Sequence, residues 1–190
     1  HYYTPSGRCI QKPYVKGQKE EYNQDLEQRY KHGELVCKDS IHLDSTKVYR
    51  TLEKQRIVYG GGGIMPDVFV PLDTTYSKYY LALRRANIIN EKSLKFIDNH
   101  RKEIKRQYPE FKKFMDTYEV PQTLIDEIIE AGKQKKIEAK DDKEMQKTLP
   151  DLRFTLKGLI IYDVWDRNEY FQFVNRRSDI VKKGLELIKK

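Results

Sequence analysis

Four histidines, two cysteines and six serines bound the chemistry open to this chain. The histidines are His1, His32, His42 and His100, and neither HExxH nor CxxC occurs. His32, Cys37 and His42 follow one another at equal intervals, but that interval matches no common zinc pattern, so they read as exposed loop residues. The serines are Ser6, Ser40, Ser45, Ser77, Ser93 and Ser178. None lies in GxSxG and none begins SxxK, so no strained nucleophile turn is visible. A serine nucleophile also needs a histidine, or a lysine made neutral by burial, to take its proton. Gly60-Gly61-Gly62-Gly63 follows a strand-like run, as a phosphate loop would. The GK[ST] of a Walker motif is missing, and Pro66 with a further apolar run follows instead of a helix start. The glycines therefore read as a tight turn that needs unusual φ/ψ or a close backbone approach. Cys9 beside Arg8 has one basic neighbour, which is weak grounds for a reactive thiolate. Read from its residues, the chain contains no complete catalytic constellation, no metal site and no cofactor motif.

The elements that hold these residues fall into two parts. Residues 1–75 read as strands and loops. Tyr2-Tyr3-Thr4 has β-propensity and Pro5-Ser6-Gly7 is turn chemistry. Residues 16–56 are polar and aperiodic, an exposed excursion with a short helix near Tyr22 to Tyr30. Arg56 to Tyr59 and Val68 to Val70 read as short strands. Residues 76–190 read as helices. Leu94, Ile97, Ile104 and Tyr108 share a helical face, and Phe111, Phe114, Met115 and Tyr118 form another. Pro121 opens a helix carrying Leu124, Ile125, Ile128 and Ile129, which Gly132 stops. A lysine-rich linker spans Lys133 to Lys143. The pattern Met145, Leu149, Leu152, Leu156, Leu159 follows, which Pro150 should kink or break. Ser178 is a suitable N-cap for a last helix with Val181, Leu185 and Ile188 on one face. The expected fold class is thus α+β: short strands with a long loop insert, then a mostly α-helical C-terminal domain.

The chain has 190 residues, 35% of them charged, and a mean hydropathy of −0.84. No apolar run approaches the ~18 residues of a membrane span; Leu159 to Tyr162 is only four residues. Tyrosine and phenylalanine are abundant, which excludes wholesale disorder. The net charge of +8 is uneven. Residues 1–75 carry 11 basic and 10 acidic side chains, and residues 76–190 carry 26 and 19. A basic half suits nucleic acid or an anionic surface, and it suits wet lysine faces equally. The charges are interspersed and no nucleic-acid-binding motif accompanies them, so no nucleic-acid partner is expected. Cys9 and Cys37 are compatible with a bridge in an oxidising compartment and equally with two free buried thiols. The opening HYYTPSGRC is not a signal peptide and reads as the start of a fragment.

Two segments are more specific than their composition. Tyr2-Tyr3-Thr4-Pro5-Ser6-Gly7-Arg8-Cys9-Ile10-Gln11 resembles the YYTPSGRSIQ signature of the carboxyl-terminal processing peptidases, also called tail-specific proteases. Gly63-Ile64-Met65-Pro66-Asp67-Val68 resembles the G-I-x-P-D-[IV] segment that follows it in that family. Lys31 to Leu35 and Asp39 to Ile41 look like the insert of one bacterial branch. Leu159 to Tyr170 looks like that branch's helical tail. The resemblance implies a serine endopeptidase with a Ser–Lys dyad acting on proteins or peptides. It also implies export to the periplasm or cell envelope. The family's S-A-S-like turn and K-x-x-x-G-K-G-like stretch both precede YYTPSGR and have no counterpart here, so no catalytic residue carries over. The reading is a C-terminal portion of such a peptidase, inert alone. Residues 1–75 would be the last core strands and insert, and 76–190 a helical domain that packs internally or dimerises. Cys9 stands where the family has serine, and the implied compartment would suit a Cys9–Cys37 bridge. The alternative reading is a non-catalytic basic helical module binding nucleic acid or a protein partner.

Overall fold

The computed structural model describes residues 2–12, 17, 19–41 and 46–189. It is α+β: one small antiparallel pairing and mostly helix thereafter. The chain divides into two compact units, His1–Asp73 and Thr74–Lys190.

The first unit holds α1 (Lys19–Lys31), a 3-10 turn (Lys38–Ser40), β1 (Val48–Arg50) and β2 (Ile57–Tyr59). The strands pair antiparallel with Tyr49 opposite Val58. The helix near Tyr22 to Tyr30 and the strand before Tyr59 are both present. β1 lies inside the stretch expected to be an aperiodic loop, because three residues are too few to display an alternation. Val68 to Val70 is not a strand. Among the described residues of this unit no hydrophobic side chain is buried, while Tyr2, Tyr3, Leu52, Ile57, Ile64 and Leu72 are exposed.

The second unit contains α2 (Lys78–Arg85), α3 (Ile88–Gln107), α4 (Phe111–Thr117), α5 (Gln122–Gln134), α6 (Asp142–Val164), α7 (Arg167–Asn175) and α8 (Asp179–Ile188). Its core gathers Leu83, Ile88, Ile97, Phe114, Leu124, Ile125, Ile128, Leu152, Leu156, Ile160 and Ile161, all essentially inaccessible. α6 runs unbroken through Pro150, so of the expected kink or break the break does not occur. Proline removes one i→i−4 bond. Buried Leu152, Leu156, Ile160 and Ile161 on the same helix offset that loss by apolar burial. Leu94, expected on the buried face of α3, is exposed, whereas Ile97 and Ile104 are buried.

The ends of α5 and α6 show how the chain is held. Gly132 does not stop α5, which continues to Gln134. The stop is a Schellman motif: Ile137 N–H donates to Gly132 O at 2.8 Å and Lys136 N–H to Lys133 O at 2.8 Å. Lys136, not a glycine, takes the left-handed position at φ 59°. Gly132 is required for space instead, since a Cβ there would sit 2.9 Å from Ile137 O and 3.0 Å from Leu83 Cδ2. Asp141 caps α6 by accepting from Glu144 N–H at 2.8 Å. The Glu144 carboxylate accepts from Lys140 N–H at 2.8 Å and from Tyr79 N–H at 3.1 Å, tying the starts of α2 and α6 together. Those donors, Lys140 first, hold its pKa below the usual carboxylate value.

Aromatic side chains fill the space between α3, α4 and α6. Phe114 stacks on Tyr118 at 4.2 Å and meets Trp165 at 4.6 Å, and Tyr108 stands edge-on to both Phe114 and Tyr118. Lys157 Nζ donates to Tyr118 O at 2.7 Å and to Met115 O at 2.9 Å, satisfying carbonyls at the end of α4. Burial pushes the Lys157 ammonium below its ordinary value, while Asp116 and Glu119 oppose that shift. Burial pushes the Tyr118 hydroxyl well above the usual range, with Tyr108 adding to it. The Tyr79 hydroxyl is raised by burial and then by Glu138.

Candidate functional site

Residues 2–10 fold back on themselves. Tyr3 pairs antiparallel with Cys9, and Ile10 N–H donates to Tyr2 O at 3.2 Å. Gly7 N–H donates to Thr4 O at 2.9 Å, closing a four-residue turn with Pro5 in its second position. Gly7 at φ 78° then lets Thr4 N–H reach Arg8 O at 2.9 Å. That is a turn followed by a glycine bulge, which the Pro-Ser-Gly order favours.

The tetraglycine run meets this hairpin. Gly60 N–H donates to Lys47 O at 3.0 Å, extending the β1–β2 ladder by one residue. Gly61 N–H donates to Cys9 O at 2.9 Å, and Arg8 Nη1 donates to Tyr59 O at 3.4 Å. Two motifs some fifty residues apart thus share hydrogen bonds. The glycines are needed for both expected reasons. A Cβ on buried Gly60 would lie 2.9 Å from Tyr49 Cε2 and 3.2 Å from Cys9 O, and Gly61 and Gly63 have φ of 85° and 100°.

Further along the second motif, the Asp67 carboxylate accepts from Arg56 Nη1 and Nη2, both at 3.3 Å. Ile64 is exposed, and Pro66 stands between it and the ion-paired Asp67. A shallow groove of about 480 Å³ lies beside the hairpin, lined by Thr4, Ser6, Arg8, Thr51, Lys54 and Arg56 among others. Arg8 Nε is buried there without a hydrogen-bond partner. Arg56 and Tyr49, which complete this neighbourhood, were not singled out by the sequence. Their only signal is brief β-propensity ahead of the glycines, which the sequence shows at Arg56 but not at Tyr49.

Glu53 also lines the groove, and among the described residues no hydrogen bond joins its carboxylate to the Thr4 or Ser6 hydroxyl. Thr4 Oγ1 and Ser6 Oγ are hydrogen-bonded to each other at 3.0 Å. Among the described residues no cluster of three or more His, Cys, Asp or Glu could hold a metal ion. His32 is exposed, His100 Nδ1 lies 2.8 Å from Phe96 O, and His1 and His42 fall outside the described residues. Ser77 and Ser178 cap helices, Ser93 is buried in α3, and Ser45 falls outside the described residues. Cys9 and Cys37 are free thiols in this structure. The Cys9 backbone is engaged by Tyr3 and Gly61 and its thiol lies 3.8 Å from Gln11 O, while Cys37 is exposed ahead of the 3-10 turn. Neither thiol is buried.

No helix among the described residues is long and apolar enough to cross a membrane. No curated protein and no solved structure matches this chain. Residues 79–166, from α2 to just past α6, match the model of a family of unknown function, DUF8443.

Proposed function

We propose that this chain is the C-terminal portion of an exported carboxyl-terminal processing serine endopeptidase. The parent would hydrolyse peptide bonds with a Ser–Lys dyad carried upstream of His1. This portion would have a structural role, completing the peptidase core with residues 1–75 and supporting it with the helices. Its site of action would be the periplasm or cell envelope. The observation that carries the reading is the joining of the YYTPSGR-like and GIMPD-like segments through Gly61 N–H and Cys9 O at 2.9 Å. The exposure of the first unit's apolar side chains supports it, because strands with a bare apolar face suit the edge of a larger sheet.

The experiment has two parts. The reading frame upstream of His1 should encode a signal peptide, a small-residue serine turn and a lysine stretch. A frame that lacks the serine and lysine overturns the proposal. The purified 190-residue chain should leave an unfolded protein intact, while the whole product cleaves it and loses that activity when the serine becomes alanine.

A further inference from the structure

We infer that α8 is an interfacial helix that lies on an anionic phospholipid surface. The inference concerns the helical unit alone and does not rest on the peptidase reading. None of the α8 side chains is buried. Ile180 is 70% exposed and Ile188 82%, and Leu185 and Leu187 are exposed as well. At about 100° per residue, Leu187, Ile180, Gly184, Ile188, Val181 and Leu185 occupy one arc of about 160°. Asp179 and Glu186 lie opposite that arc. Lys182 and Lys189 border one edge of it and Lys183 the other. Residues 176–190 carry six basic and two acidic side chains. A wide apolar arc edged by lysines, exposed at Ile180, Leu185, Leu187 and Ile188 and half-buried at Val181 and Gly184, is the pattern of a helix lying in a headgroup layer, with ammonium groups at phosphate level and stems along the acyl boundary.

The charge pattern selects this occupant over a second copy. Antiparallel self-pairing would set each edge against its own copy, lysine against lysine. An anionic leaflet complements both edges at once. The pairs that now hold two of these lysines, Lys182 with Asp179 at 3.2 Å and Lys183 with Glu186 at 3.0 Å, are exposed. Such pairs contribute little and leave the ammonium groups free to turn to phosphate.

Flotation of the 190-residue chain with vesicles tests the inference. One set contains phosphatidylglycerol in phosphatidylcholine and the other phosphatidylcholine alone. The chain should float with the anionic vesicles and remain below with the neutral ones. Lys182→Gln with Lys183→Gln should weaken partitioning about 30-fold, from ~1 kcal/mol per basic residue near an anionic leaflet. Ile180→Asn with Ile188→Asn should abolish it. Both variants should keep the wild-type far-UV circular dichroism melt, because all four substituted side chains are exposed. Failure to float with anionic vesicles, equal binding to neutral ones, or self-association through α8 in place of lipid binding overturns the inference.

Discussion

Replacing Thr148 by valine should cost about 3 kcal/mol, more than replacing its partner Ser77 by alanine. The Ser77 and Thr148 hydroxyls lie 2.6 Å apart, with Ser77 5% exposed and Thr148 inaccessible. Thr148 Oγ1 has one hydrogen, which it donates to Glu144 O at 2.8 Å. Ser77 must therefore be the donor in the pair, while its oxygen accepts from Tyr80 N–H at 3.0 Å and caps α2. Thr148→Val keeps the shape but removes both bonds of the Thr148 hydroxyl, to Ser77 and to Glu144 O, and leaves the Ser77 hydroxyl with a buried hydrogen and no acceptor. A lost bond is worth about 1 kcal/mol and a stranded donor about as much again. Ser77→Ala loses the cap, about 1 kcal/mol, and the shared bond. It strands no donor, because Thr148 keeps its carbonyl partner, so the total is about 2 kcal/mol. In the double variant the shared bond is lost only once and no hydrogen is stranded. Its cost should fall short of the sum by about 2 kcal/mol. Urea denaturation followed by Trp165 fluorescence and far-UV circular dichroism measures all four corners of this cycle. Strict additivity, or a Thr148→Val cost below that of Ser77→Ala, would refute the assigned direction of the hydrogen bond.

Three further outcomes follow from the helical unit. Lys136→Gly should stabilise it by about 1 kcal/mol by relieving a left-handed lysine, whereas Gly132→Ala should destabilise it despite alanine's helix preference, because Ile137 O is 2.9 Å away; thermal melts of both variants check the opposite signs. Phe114→Ala should cost about 3–5 kcal/mol and shift Trp165 emission to the red, since the ring is inaccessible, stacked on Tyr118 and tilted against Trp165. Stability should fall as pH rises above about 10, the unfolded tyrosine value. The raised folded pKa values of Tyr118 and Tyr79 mean the unfolded chain loses those protons first. The depressed Lys157 acts oppositely, adding stability as pH approaches the unfolded lysine value and nothing beyond it. Tyr118→Phe should flatten the alkaline limb and raise stability at neutral pH, because that hydroxyl is buried without a partner. Urea midpoints measured across alkaline pH test the sign, and a midpoint that climbs above pH 10 contradicts it.

Features set by neighbouring residues were legible before any fold was known. Ser178 caps α8 by accepting from Val181 N–H at 3.4 Å, and Pro121 sits at the start of α5. The Pro5-Ser6-Gly7 turn and the strained glycines also appear as their residue types require. Each depends on φ/ψ preferences and on bonds spanning a few residues, and those travel with the local sequence. The candidate site was legible only as two separate motifs.

What tertiary structure decided was everything needing a distant partner. The Cys9–Gly61 bond, the Arg56–Asp67 pair and the pairing of β1 with β2 join segments whose spacing carries no mark of their meeting. Pro150 stays inside α6, although its own chemistry argues for a break. Gly132 is a packing residue and Lys136 the true helix stop, because Leu83 and Ile137 O occupy the space a side chain would need. Val68 to Val70 has strand-like residues and forms no strand, since β-structure requires a partner edge as well as propensity. Local sequence sets what each segment prefers, and burial and hydrogen bonding with remote segments determine which preferences are realised.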